Sequence, residues 1–155
     1  MELSGEITSG YFFEGITGPQ FITPEAFRLL QTPLPREAVF WINAQDPASL
    51  CGGSLLPGLP PRLPSTFLVY RGSNLVLTAR RNGKHLDIFA PPDDPLLHDF
   101  FGLFKELLAR QFNPLPKVTI DSINGEQAAR SPYAASLKQF GFRSSRSLLE
   151  LWKQY

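Results

Sequence analysis

The sequence predicts an α+β fold: a mainly antiparallel, strongly curved sheet or small β-barrel with three helices packed on it. Three observations carry this expectation. Three strand-like runs, "TFLVYR", "NLVLTARR" and "KHLDIFA", follow one another with only "GS" and "NG" between them. A long segment, "DPLLHDFFGLFKELLARQF", repeats apolar residues at three- and four-residue steps. The chain then closes on a strand, a short helix and a strand.

Taken in order, "GEITSGYFFEGI" (5 to 16) has the β-branched and aromatic character of a strand or hairpin, with Gly10 placed for a bend. Thr23, Pro24 and Glu25 form an N-cap, an N1 proline and a first-turn acid, so a helix is expected from Pro24 to about Gln31. Its Ala26, Phe27, Leu29 and Leu30 are expected to bury one side. "AVFWINA" (38 to 44) is a short apolar run of β formers and predicts a largely buried strand. The glycine- and proline-rich "CGGSLLPGLPPRLPS" (51 to 65) predicts a long surface loop.

Asn82-Gly83 suits a type I′ hairpin, in which both central residues take positive φ, and Gly72-Ser73 suits type II′. In the long helix opened by Asp94-Pro95, the residues Leu97, Phe100, Phe101, Phe104, Leu107, Leu108 and Phe112 form a stripe wide enough to cover a sheet. "KVTIDSI" (117 to 123) predicts a strand ended by "NGE". Ser131-Pro132 and Gly141 bracket a short helix, and "SLLELWKQ" is the final strand.

With 155 residues, 43% of them hydrophobic, the chain is expected to form one domain, 1 to 155, with its own core. A single cysteine, Cys51, excludes an internal disulfide, and two histidines beside it are too few for a zinc site. A reducing, cytoplasmic setting is expected, with no membrane span or signal peptide. No phosphate loop of the G-x-x-x-x-G-K-[ST] type and no G-x-S-x-G elbow occurs, so ATP hydrolysis and serine-nucleophile chemistry find no support. Cys51 with His85 or His98 is a combination of residue types without local context. Asp93 and Asp94 fit helix capping before acid–base work.

Charge is uneven along the chain: residues 1 to 60 hold two basic and six acidic residues, residues 61 to 155 thirteen and eight. One basic face could therefore meet nucleic acid, although a mixed, solvated surface has the same composition.

Several segments resemble, in order, the Lhr-type (large helicase-related) superfamily 2 DEAD/DEAH-box DNA helicases. Gly5-Glu6, Gly10-Tyr11-Phe12-Phe13, Gly15, Gly18, Gln20-Phe21 and Pro24-Glu25-Ala26 are similar to the stretch that follows the family's winged helix. "INAQDPASL" (42 to 50) looks like its alanine-aspartate-proline turn, and "IDSINGEQAARSPYAASLKQFGFRSSRSLLELW" like its closing segment. The resemblance implies a C-terminal accessory domain. Winged helix and motor domains would lie upstream in the parent, as would ATP and magnesium, so no cofactor is expected in this domain. At the position where the family has arginine in G-R-F-V, this chain has Tyr11, a stacking surface in place of a phosphate-binding charge.

Two functions follow from the resemblance. In the first, the domain guides single-stranded DNA or a DNA/RNA hybrid over a basic face, with Arg71, Arg80, Arg81 and Lys84 on the meander, Arg143 and Arg146 after the last helix, and Tyr11 and Tyr70 for stacking. Each arginine also has a plain reading as a solvated strand-edge charge. In the second, the domain is a structural or homo-oligomerising module that packs on the winged-helix and motor domains with little nucleic-acid contact. A third possibility, a nucleobase hydrolase, would need a base-sized pocket with an aromatic and a carboxylate.

Overall fold

A computed structural model describes residues 5–33, 35–53 and 58–153. The chain divides into two compact units, Met1–Pro35 and Arg36–Tyr155. It is mixed α+β, and its sheets are open: neither the two-stranded, the three-stranded nor the six-stranded sheet closes into the barrel that the sequence left open.

In the first unit, β1 (Thr8–Gly10) pairs antiparallel with β2 (Gln20–Ile22), and α1 spans Pro24–Leu30. The Thr23 hydroxyl accepts a hydrogen bond from Ala26 N, which is the N-cap chemistry expected of this stretch. Gln20 explains how the intervening loop holds its shape. Its Oε1 accepts from the backbone N–H groups of Phe12 and Phe13 at 2.7 and 2.8 Å, while Nε2 donates to the carbonyls of Phe13 and Ile16. One carboxamide thus pairs four backbone groups that have no strand partner. The expected burial of Ala26, Phe27, Leu29 and Leu30 does not occur: no residue of α1 is buried, and Phe27, Leu29 and Leu30 are exposed. Periodicity gave the helix an apolar side, but none of the described residues 5–33 reaches full burial against it.

The second unit holds the meander. β4 (Phe67–Arg71), β5 (Asn74–Arg80) and β6 (His85–Ile88) pair antiparallel in sequence, with β3 (Val39–Asn43) on the outer side of β4. Because β3 is an edge strand, Phe40 and Trp41 remain exposed, and the expected largely buried strand is corrected to a half-open one. Gly72 takes φ +57, as a type II′ turn requires. At the other hairpin Asn82 and Gly83 take φ +56 and +91, as type I′ requires, but Arg81 is also left-handed at φ +51. The ladder consequently ends at the Arg80–His85 pair, and Arg81 and Lys84 belong to the loop.

The long helix breaks at Phe101 into α2 (Leu97–Phe100) and α3 (Gly102–Ala109). Gly102 lies at the break, where a residue with weak helix propensity costs least. Leu97, Phe100, Phe101, Phe104, Leu107 and Leu108 are buried as the stripe predicts, whereas Phe112 is 89% exposed because the helix has already ended. The core they form includes Val69, Leu77, Ala79, Leu86 and Ile88 from the meander and Ile120, Leu137 and Leu149 from the rest of the unit.

After α3 come β7 (Lys117–Ile120), β8 (Ser122–Ile123), β9 (Glu126–Gln127), α4 (Ala134–Phe140), β10 (Arg143–Ser145) and β11 (Leu148–Trp152). β8 pairs parallel with β6, and β10, β11 and β7 form their own antiparallel sheet. The N-cap of α4 is Tyr133 and not Ser131 as expected: the Ser131 hydroxyl, two residues earlier, accepts from Tyr133 N in a turn before the helix, while Gly141 at φ +126 ends the helix as expected. Tyr133 is buried, which pushes its phenol pKa up, and its hydroxyl donates to the Ala90 carbonyl at 2.7 Å.

Asn124 ties β6 to the β8–β9 turn. Its Oδ1 accepts from Ile88 N at 2.7 Å and its Nδ2 donates to Ile88 O at 2.9 Å, so the side chain continues the short parallel ladder. Asn124→Ala should lose about 1 to 3 kcal/mol, from two hydrogen bonds of roughly 0.5 to 1.5 kcal/mol each. Asn124→Gly, which relieves the left-handed backbone at φ +51, should be milder. Urea denaturation of the three proteins checks the order.

Candidate nucleic-acid interface

Alternation along the last sheet decides what faces outward. Val118, Ile120, Leu149 and Leu151 are buried on one side. By the two-residue period of a strand, Lys117, Thr119, Leu148, Glu150 and Trp152 lie on the other. Register places Trp152 opposite Lys117, Glu150 opposite Thr119, and Arg143 opposite Glu150. Directly paired residues share a face, so Arg143 joins this outer side.

A groove of about 470 Å³ runs from this face to the β5–β6 loop, lined in part by Arg81, Lys84, Lys117, Asp121 and Glu150. Lys117 Nζ lies 2.7 Å from Glu150 Oε1 and 4.8 Å from the centroid of the Trp152 ring. Lys84 Nζ lies 3.3 Å from Asp121 Oδ2. No ion pair of Arg81 or Arg143 is found among the described residues. Four basic side chains thus meet two carboxylates, with an indole that is 54% exposed at the edge.

The residues expected to bind nucleic acid do not all gather here. Arg81, Lys84 and Arg143 do. Arg71 is committed elsewhere: its Nε donates to Glu37 Oε2 at 2.7 Å, and its Nη1 lies 3.3 Å from the carboxylate of Asp94, itself only 8% exposed. Arg80 projects from the opposite face of the meander and pairs with Asp87 at 2.8 Å. Arg146 is exposed in the β10–β11 turn at φ +56. Tyr70 is half-buried and stacked on Phe40, with ring centroids 5.4 Å apart; burial, and secondarily Cys51, push its pKa up. Tyr11, in the first unit, is 83% exposed.

Lys117 and Trp152 were missed from the sequence. The signal was present: in "SLLELWKQ" the alternation that buries Leu149 and Leu151 must turn Trp152 outward. Among the described residues no group of three or more His, Cys, Asp or Glu side chains could hold a metal ion. No helix among them is long and apolar enough to cross a membrane.

The comparisons with known proteins point to one class, the Lhr-type helicases, as the sequence resemblance does, with one correction: the opening stretch, expected to follow the winged helix, itself matches the model of that domain. The family model described as the winged-helix domain of large helicase-related protein matches residues 1–41. A particular relative is the Lhr helicase/uracil glycosylase of Escherichia coli (strain K12), 28% identical over 158 residues that take in 94% of this chain and 10% of the relative. The chain therefore spans about a tenth of the length of that relative.

Proposed function

We propose that the chain is a non-catalytic accessory domain of an ATP-dependent DNA helicase, which holds or guides single-stranded nucleic acid on the outer face of the β10–β11–β7 sheet. The gathering of Arg81, Lys84, Lys117 and Arg143 beside exposed Trp152 carries this reading. Basic side chains position a sugar-phosphate backbone without reading its sequence. An exposed aromatic contributes about 1 to 3 kcal/mol per stacked base. The kinship with an Lhr helicase supports a motor, with its ATP and magnesium, in the parent protein.

Salt titration tests the reading. With three or four phosphates neutralised on a single strand, log affinity should fall against log salt with a slope of about −2 to −3, since each contributes about −0.7. Arg81→Ala combined with Arg143→Ala should flatten the slope by about 1, whereas Trp152→Ala should weaken binding with the slope unchanged. Failure of the 155-residue chain to bind a single-stranded oligonucleotide even at low salt would overturn the proposal.

A second role is favoured by the first unit, whose described residues include no buried one while Tyr11, Phe13, Phe21, Phe27, Leu29 and Leu30 are exposed. The match of residues 1–41 to a winged-helix model supports packing of this apolar set on the remainder of a winged-helix domain in the parent. The relative's name also carries uracil glycosylase. Base excision is not part of our reading of this chain: the carboxylate lining the groove on the meander's outer face, Asp87, is held by Arg80, and no Phe, Tyr or Trp lines that groove.

A further inference from the structure

A second groove, of about 320 Å³, lies on the other side of the β5–β6 loop, on the meander face opposite the helices. Its walls are Pro60, Pro61 and Leu63, and its polar groups come from Arg80, Arg81, His85 and Ser122. Strand register brings these last residues together: His85 stands opposite Arg80 in β5 and beside Ser122 in β8. His85 Nδ1 and Ser122 Oγ are 2.9 Å apart.

We propose that this groove binds a phosphomonoester, as found at the end of a nucleic-acid strand or on a free mononucleotide. The chemistry fits that group in three respects. Arg80 gives Asp87 only its Nη2, at 3.0 Å from Oδ1 and 2.8 Å from Oδ2, so most of its five N–H donors are not used by that carboxylate. Arg81 adds a charge with no acidic partner among the described residues. The His85–Ser122 contact is a donor relay: when Nδ1–H donates to Ser122 Oγ, the serine hydroxyl is free to donate outward. Charge-assisted donors of this kind favour a dianion with three exposed oxygens over a diester with two. The groove has the volume of a small-ligand site, and its proline and leucine walls suit the flat faces of a sugar or base.

The proposal rests on the nucleic-acid reading above only for the strand-end source, and one experiment separates the two. Fluorescence anisotropy of the 155-residue chain is measured with three single-stranded oligonucleotides of one sequence: 5′-phosphorylated, 3′-phosphorylated and unphosphorylated. Adenosine monophosphate is titrated separately by calorimetry. At least tenfold tighter binding of one phosphorylated end is expected. His85→Ala and Ser122→Ala should each remove most of that preference and leave the unphosphorylated strand bound as before. Mononucleotide binding that matches the phosphorylated end would identify the free mononucleotide as the source. Equal affinity for all three strands, with no mononucleotide binding, overturns the proposal even if strand binding itself is strong. Loss of unphosphorylated-strand binding alone sinks the sheet-face interface and not this groove.

Discussion

Phe104→Ala is expected to destabilise the second unit by about 3 to 5 kcal/mol, the range for truncating a fully buried phenylalanine. Phe104 has no solvent exposure and contacts two other rings, Phe101 at 6.2 Å and Phe142 at 5.4 Å between centroids. Three groups of elements meet at this ring: α3, the β5–β6 loop above it, and the β7 and β10 side of the unit. Collapse around the gap is hindered because those elements belong to two different sheets. Chemical denaturation monitored by circular dichroism reads the loss directly. Since total stability of a small domain is only about 5 to 15 kcal/mol, the variant should melt well below the parent chain.

Gly83→Ala is expected to cost about 2 to 5 kcal/mol through the same place in the core. The backbone at φ +91 disfavours any Cβ, by roughly 1 to 2 kcal/mol. An added Cβ would also stand 2.9 Å from Val118 Cγ1 and 3.2 Å from Phe104 Cε1, a crowding worth about 1 to 3 kcal/mol on its own. The two substitutions share an atom contact, so they should not add. Combining Gly83→Ala with Phe104→Leu should relieve part of the crowding, and a measured coupling near zero in the double-mutant cycle would contradict the contact. Nucleic-acid binding gives a second readout, because Gly83 sits between Arg81 and Lys84. Any shift that makes room for the methyl group moves both cations, so affinity for a single strand should fall along with stability.

The hairpins were legible because their information is local. Gly72-Ser73 and Asn82-Gly83 impose backbone signs that the structure repeats. The capping of α1 by Thr23 was legible for the same reason. Burial was less so. The apolar side of α1 specifies an amphipathic helix without specifying a partner, and Phe112 continues the helical period past the point where the helix stops. The candidate interface was legible in part: composition marked the later chain as basic, but only strand register could separate Arg81, Lys84 and Arg143 from Arg71 and Arg80. His85 and Ser122 are 37 residues apart and meet because β6 and β8 run parallel, a pairing that no turn dipeptide announces.

The pairing of Lys84 with Asp121 and of Lys117 with Glu150 has a consequence for what the sheet face would retain. At rest, two of its four cations are already matched by a carboxylate, so its unmatched charge rests on Arg81 and Arg143. If the proposed interface holds, a strand with phosphates at regular intervals would engage Arg81 and Arg143 first, after which each lysine need only exchange one carboxylate for a phosphate oxygen. Such a surface would favour a polymer over a small ion and grip it in several weak steps. The same steps would undo one at a time, letting a moving strand slip forward without full release.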